Sequence, residues 1–208
     1  MRGGRYDQGM SPVTPATRPA GRPRASSRAM LEEAAGELFL ERGYAATSVA
    51  DITARAGVSR NTFFNYFGAK SDLLWSTFDA TVAGLGEALA DPAHDDGTPR
   101  GTARAALMEI AGALRPDNVS LAFTHADTMG LADELRRAAA LRASDVAVVL
   151  TAFAVARGVE PLRAEVAGAA YAGSLVAAVG EWSRSGAVRT SLSDVLATAL
   201  APVEAALP

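Results

Sequence analysis

Residues 47–70 read TSVADITARAGVSRNTFFNYFGAK, and this stretch decides the fold. Thr47 or Ser48 can cap a helix, and Asp51, three residues after Ser48, stands where a capping box needs its acid. Val49, Ile52 and Ala56 then fall on the inner face of that helix. Gly57 supplies the left-handed residue that ends it, and Val58 plugs the turn. Ser59 caps a second helix whose partly buried face carries Thr62, Phe63, Tyr66 and Phe67. Two helices of about two turns each, joined by a tight glycine turn, make a helix-turn-helix over 48–67. In that geometry the N-terminal part of the second helix enters the major groove. Ser59, Arg60, Asn61 and Thr62 stand there. All four form hydrogen bonds and none is acidic, as base edges and phosphates require.

Working outward, the pattern stays helical. Met30, Ala34, Leu38 and Phe39 share one face of a helix that starts near Ser26 and ends at Gly43. A longer helix is expected from Lys70 to about Ala90, stopped by the breaker stretch from Asp91-Pro92 to Gly101. Further helices are expected over about 102–114, 118–128, 131–157, 161–184 and 191–206, giving about nine in all. No stretch sustains the period-2 alternation of a strand, so the fold class is all-α. Residues 1–25 combine four glycines and four prolines with five arginines and one acid, and are expected to be a disordered basic arm. The domains expected are 26–74, with the DNA-binding motif, and 75–208.

Composition narrows the chemistry. The 208 residues hold 20 basic and 23 acidic side chains, a formal charge of −3. The first 70 residues carry ten basic and six acidic groups and the remainder ten and seventeen, so an anionic partner suits the front part. Lys70 is the only lysine. Cysteine is absent, which excludes disulfides, thiolate metal sites and thiol nucleophiles. His94 and His125 are the only histidines, too few for a histidine-based zinc site. No Ser-His-Asp set, phosphate loop or metal cluster can be read in 75–208, so neither an enzyme nor a cofactor is expected. The longest uncharged run is Val166 to Gly180, short of the roughly 18 residues a membrane helix needs, and no secretory signal precedes it. A cytoplasmic protein without membrane attachment is the expectation.

The block from Ala29 to Leu74 resembles the DNA-binding domain of the TetR family of transcriptional regulators. The residues that carry the resemblance are Phe39 to Tyr44 (FLERGY), Thr47-Ser48-Val49, Asp51-Ile52, Ala56-Gly57-Val58-Ser59, Thr62-Phe63, Tyr66-Phe67 and Lys70 to Leu74 (KSDLL). The resemblance implies that Thr47 and Ser48 contact phosphates through hydroxyls and backbone N–H groups. It places Arg60, Asn61 and Thr62 at bases or adjacent phosphates, with Ser59, Asn65 and Tyr66 beside them. Lys70 matches the lysine that holds the DNA backbone from the start of the fourth helix. Phe64 stands where the family usually has tyrosine, which loses a phosphate-contacting hydroxyl. Tyr66 stands where histidine is common. The run Arg60 to Tyr66, followed by Trp75 and Phe78-Asp79, is similar to a subgroup that includes mycofactocin-system regulators, which respond to fatty acyl-coenzyme A.

For 75–208 the same resemblance implies a ligand-binding and dimerisation bundle. Its pocket is expected among helices from about 70 to 157, with Trp75, Phe78, Met108, Phe123 and Phe153 as walls and Arg104, Thr124 and His125 as polar groups. The dimer interface is expected from the last two long helices, with Ala169, Ala170, Gly173, Ala177 and Gly180 as a small-residue stripe allowing close approach. A two-fold dimer implies a pseudo-palindromic operator. Together these features imply a ligand-responsive regulator, most simply a repressor released by a small hydrophobic or amphipathic effector such as an acyl-coenzyme A. An activator and a bundle enzyme are the alternatives.

Overall fold

The structure, a computed structural model, describes residues 24–116, 118–185 and 190–206. The basic arm expected over 1–25 lies outside them except for its last two positions, which already belong to the first helix. Every element among the described residues is helical. In chain order they are α1 (Arg24–Arg42), α2 (Val49–Ala56), α3 (Arg60–Phe64), α4 (Asp72–Val82), α5 (Leu85–Ala90), a 3-10 turn (Pro92–His94), α6 (Pro99–Ala113), α7 (Asn118–Thr124), α8 (Ala132–Ala156), α9 (Pro161–Arg184) and α10 (Leu192–Ala206).

The helix expected over 70–90 is two helices. Its start is delayed to Asp72, whose carboxylate accepts the N–H groups of Gly68 and Ala69 at 3.0 and 2.9 Å and holds that loop in a turn. It breaks after Val82, where the Gly84 N–H reaches back only three residues, to the Thr81 carbonyl at 3.2 Å. Two β-branched residues followed shortly by a glycine weaken continuation there. α6 starts earlier than expected, at Pro99, because Thr98 caps it by accepting from the Gly101 N–H.

α1 buries Leu31, Ala34, Ala35, Leu38 and Phe39, an i, i+3, i+4, i+7, i+8 stripe, against Ile52, Phe63 and Phe67 of the motif. That core runs on without interruption through Leu73, Trp75 and Phe78 of α4 into the larger bundle. The two units are further tied by the Tyr44 N–H, which donates to the Met129 carbonyl at 3.1 Å. In the bundle, α9 packs against α8 on one side and α10 on the other. The approach to α8 is closest at Gly168, where a Cβ would sit 2.5 Å from the Thr151 hydroxyl and 2.9 Å from the Ala147 carbonyl oxygen.

α8 and α9 are long and apolar enough, by length and composition, to cross a membrane, although neither holds an uncharged run of the needed length. Here they form a layer of the bundle, and their outer faces carry apolar side chains. On α8, Leu141, Val148 and Val155 recur every seven residues and are exposed, the first two by about two thirds. On α9, exposed Leu162, Val166, Ala169, Gly173 and Ala177 form the corresponding stripe.

Candidate nucleic-acid interface and ligand cavity

The helix-turn-helix is built from local capping. The Ser48 hydroxyl accepts the Asp51 N–H at 3.1 Å while the Asp51 carboxylate accepts the Ser48 N–H at 2.9 Å, closing the capping box that starts α2. The Ser48 hydroxyl and N–H hold the Asp51 carboxyl below the usual range. Gly57 ends α2 at φ 65°, and its N–H bonds back to Ala54. Ser59 then starts α3 by accepting the Thr62 N–H at 3.0 Å and pairing with the Thr62 hydroxyl. The motif is oriented on α1 by Arg55, which pairs with Glu37 and Glu41 at 2.8 Å each. Phe63, fully buried, pins α3 from beneath.

That framework leaves Arg60 and Asn61 exposed at the N-terminal end of α3, with Asn65 at its C-terminal end. Phe64 is 52% exposed and held edge-on against Phe63, with ring centroids 5.2 Å apart. Tyr66 is half-buried beside it. Arg28, Arg42 and Arg55 are all paired with acids of the same domain, at 3.0, 3.6 and 2.8 Å. Among the described residues of this domain, Arg60 is an exposed arginine without an ion-pair partner.

Two expected phosphate contacts are redirected inward. Thr47 is 1% exposed, and its hydroxyl donates to the Gly43 and Leu38 carbonyls at 2.9 and 3.2 Å. A hydroxyl at the end of α1 answers carbonyls left unpaired by the helix terminus, so it points inward. Lys70 lies ahead of α4, and its ammonium donates to the Tyr44 and Thr47 carbonyls at 2.6 and 2.8 Å, 3.8 Å from the Tyr44 ring centroid. Burial pulls the Lys70 pKa down. Burial, reinforced by nearby Glu134, pushes the Tyr44 phenol up to about 12. Ser59 and Thr62 are engaged with each other as caps while remaining at the surface.

The expected ligand pocket is not brought together. Trp75, Phe78 and Phe123 interlock edge to face, Trp75 lying 5.4 Å from Phe78 and 5.8 Å from Phe123, and the first two are completely buried. They are packed core. Met108 packs against that core from a half-buried position. Arg104 pairs with Glu204 of α10 at 2.9 Å. The Thr124 hydroxyl is spent on the Ser120 and Ser183 carbonyls, and His125 is exposed. Of that set, Phe153 lines an open volume.

The open volume is a cavity of about 810 Å³ at the far end of the bundle, between the start of α6, the end of α8 and the first half of α9. Leu150, Phe153, Val159 and Val166 supply apolar wall, and Arg100, Arg163 and Tyr171 supply polar groups. Sequence reasoning missed all of these but Phe153. The cavity exists because three helices distant in sequence converge there. The local signal was the Gly158-Val159-Glu160-Pro161 turn flanked by an aromatic and an arginine. α8 connects this cavity to the DNA-binding unit. Leu150 and Phe153 sit at one end; midway Arg142 lies over the Trp75 ring and pairs with Asp79 of α4 at 2.7 and 2.6 Å; just before α8 begins, Met129 holds Tyr44.

The small-residue stripe also divides. Ala169, Gly173 and Ala177 are exposed on the outer face of α9 and Ala170 is half-buried at its edge. Gly180 is buried instead, with the Phe123 ring 3.4 Å from where a Cβ would stand, so it serves packing within the chain.

Comparison with known proteins agrees with this geometry. Residues 31–76 match the family described as bacterial regulatory proteins, tetR family. The Mycobacterium tuberculosis (strain ATCC 25618 / H37Rv) protein named "Putative mycofactocin biosynthesis transcriptional regulator MftR" is 34% identical over 88 residues, 42% of this chain and 44% of that protein. The HTH-type transcriptional repressor Rv3405c of the same strain is 43% identical over 61 residues, 29% of this chain and 31% of the repressor. These matches thus span less than half the length of the curated relatives. Among solved structures, the Thermus thermophilus FadR repressor in complex with lauroyl-CoA superposes with a TM-score of 0.53 at 24% identity, covering 83% of this chain and 91% of FadR. NalD of Pseudomonas aeruginosa, the secondary repressor of the MexAB-OprM efflux pump, gives 0.54 at 19% identity, covering 88% and 96%. At those identities the likeness is one of fold. Residues 31–76, whose capped helices and turn are those described above, match the tetR family of bacterial regulatory proteins.

Proposed function

We propose that the chain is a homodimeric, ligand-responsive transcriptional regulator, a cytoplasmic repressor that binds a pseudo-palindromic DNA operator and leaves it when a small amphipathic effector binds. The observation that carries this reading is the N-terminal end of α3: Arg60 and Asn61 are exposed there, on a helix fixed by Ser59 and by buried Phe63. Such side chains match base edges and phosphates in the major groove. Ser48, Asn65 and Tyr66 flank them and serve the phosphates, while Phe64 offers an apolar face to a thymine methyl or a sugar. Lys70 and Thr47 act one step back by fixing the loop between α1 and α2.

Dimerisation uses the outer faces of α8 and α9. Exposed leucine and valine on both helices suit a four-helix contact between two copies, with Ala169, Gly173 and Ala177 allowing close approach. The cavity volume lies in the range of small-molecule sites. An acyl-coenzyme A, the class held in the FadR structure, is one amphiphile of the proposed kind. Its binding would bias α8, which reaches α4 through Arg142 and the DNA-binding loop through Met129.

Selection from randomised duplexes with the full chain tests the reading. The expected product is a pair of inverted half-sites bound by two chains. Recovery of no enriched sequence would count against it.

A further inference from the structure

Phe64 is an exposed aromatic on the side of α3 that carries Arg60 and Asn61. It stands four residues after the first and three after the second, so the three side chains leave the helix on one side, about a turn apart. Every other phenylalanine and tryptophan among the described residues is buried or half-buried. The exposed leucines and valines, Leu40 apart, lie instead on α8 and α9. Nor is the Phe64 ring free to fold away. It meets the Phe63 ring with centroids 5.2 Å apart and planes at 81°, and Phe63 is part of the core beneath α3. An edge-to-face pair with a buried partner fixes the outer ring. No acidic residue occurs between Gly57 and Lys70, so nothing on this stretch repels a phosphate backbone.

A phenyl ring has no conventional hydrogen bond to give or accept, and gains little from a phosphate or a polar base edge. The major groove presents one apolar group, the 5-methyl of thymine. A sugar contact would give affinity without choice, because every nucleotide offers the same sugar. Arg60 and Asn61, on the same side, aim that side at base edges. We propose that Phe64 selects the 5-methyl group of a thymine in each half-site of the operator, an inference that rests on the DNA-binding reading of α3. Ring and methyl leave water together, so one position of the half-site depends on a methyl group and not on a hydrogen bond.

Fluorescence anisotropy of the full chain on its selected duplex tests this. Each thymine of a half-site is replaced in turn by deoxyuridine, which removes the methyl and keeps the base pair. One position should lose affinity by about fourfold, the worth of one buried carbon, and by about fifteenfold when both half-sites are changed. Phe64→Ala should bind the thymine and deoxyuridine duplexes equally. Phe64→Leu, which keeps an apolar body, should keep part of the preference. With cytosine at that position, 5-methylation should recover about fourfold for wild type and nothing for Phe64→Ala. Equal binding of all the deoxyuridine duplexes by wild type overturns the proposal and leaves the regulator reading standing. So does a methyl preference undiminished in Phe64→Ala, which places the methyl against another side chain. Selection that yields no preferred duplex overturns the regulator reading and this proposal with it.

Discussion

The carbonyls of Tyr44 and Thr47, in the loop after α1, are both held by the Lys70 ammonium, which also sits on the Tyr44 ring. Lys70→Met keeps the aliphatic stem but strands two carbonyls in a half-buried place. The expected cost is about 1–3 kcal/mol in urea unfolding. Tyr44 makes a matching prediction against pH. Its phenol titrates at about 12 in the folded chain against about 10 when unfolded, so burial favours the neutral form. That contribution to stability is complete below pH ~10 and is lost as pH rises through about 12. Ultraviolet titration of wild type against Tyr44→Phe should show the lost phenolate signal near pH 12; a loss near pH 10 would contradict the buried placement. At this scale the sequence was partly legible. Ser48, Gly57 and Ser59 act within four residues of their partners, so their roles follow from spacing. Thr47 and Lys70 act on carbonyls brought near by tertiary folding, whereas the family resemblance pointed both outward.

Among the elements, α8 has the widest reach. Its 25 residues span about 37 Å at the usual helical rise, enough to touch the cavity at one end and approach the DNA-binding loop at the other. Its firm hold on α4 is the Arg142–Asp79 pair, with Arg142 stacked on Trp75. Arg142→Ala should leave DNA affinity within a few-fold while reducing how far an effector weakens it, measured by mobility shift with and without effector. Unchanged release would remove α8 from the route. Periodicity indicated a single helix over 70–90. The interruption after Val82 leaves α4 a short helix clamped by α8, a fact set by packing and by Gly84 together.

For the whole molecule, the outward apolar stripe of α8 and α9 is exposed among the described residues. Val148→Glu changes an exposed side chain, so the monomer fold should hold. The charge should nonetheless convert a dimer to monomers in sedimentation experiments, and operator affinity should fall with it. A dimer that survives Val148→Glu would shift the interface towards α9 and α10. The all-α architecture and the DNA-binding unit were legible because capping, turns and periodicity are local. The cavity was not. Apolar residues at helical spacing look alike whether they fill a core, as Trp75 and Phe78 do, or line a void, as Leu150 and Phe153 do.

The central claim is that Arg60 and Asn61 read DNA from the exposed end of α3. Fluorescence anisotropy of the full chain on its selected duplex, across a range of salt and with Asn61→Ala and Arg60→Ala beside wild type, tests it most directly. The account predicts affinity that falls steeply and linearly in log–log form with salt. It also predicts that each substitution lowers affinity for the selected duplex by about 1–3 kcal/mol while weakening a scrambled duplex less. Binding without salt dependence, or substitutions that leave the preference for the selected duplex intact, would contradict it.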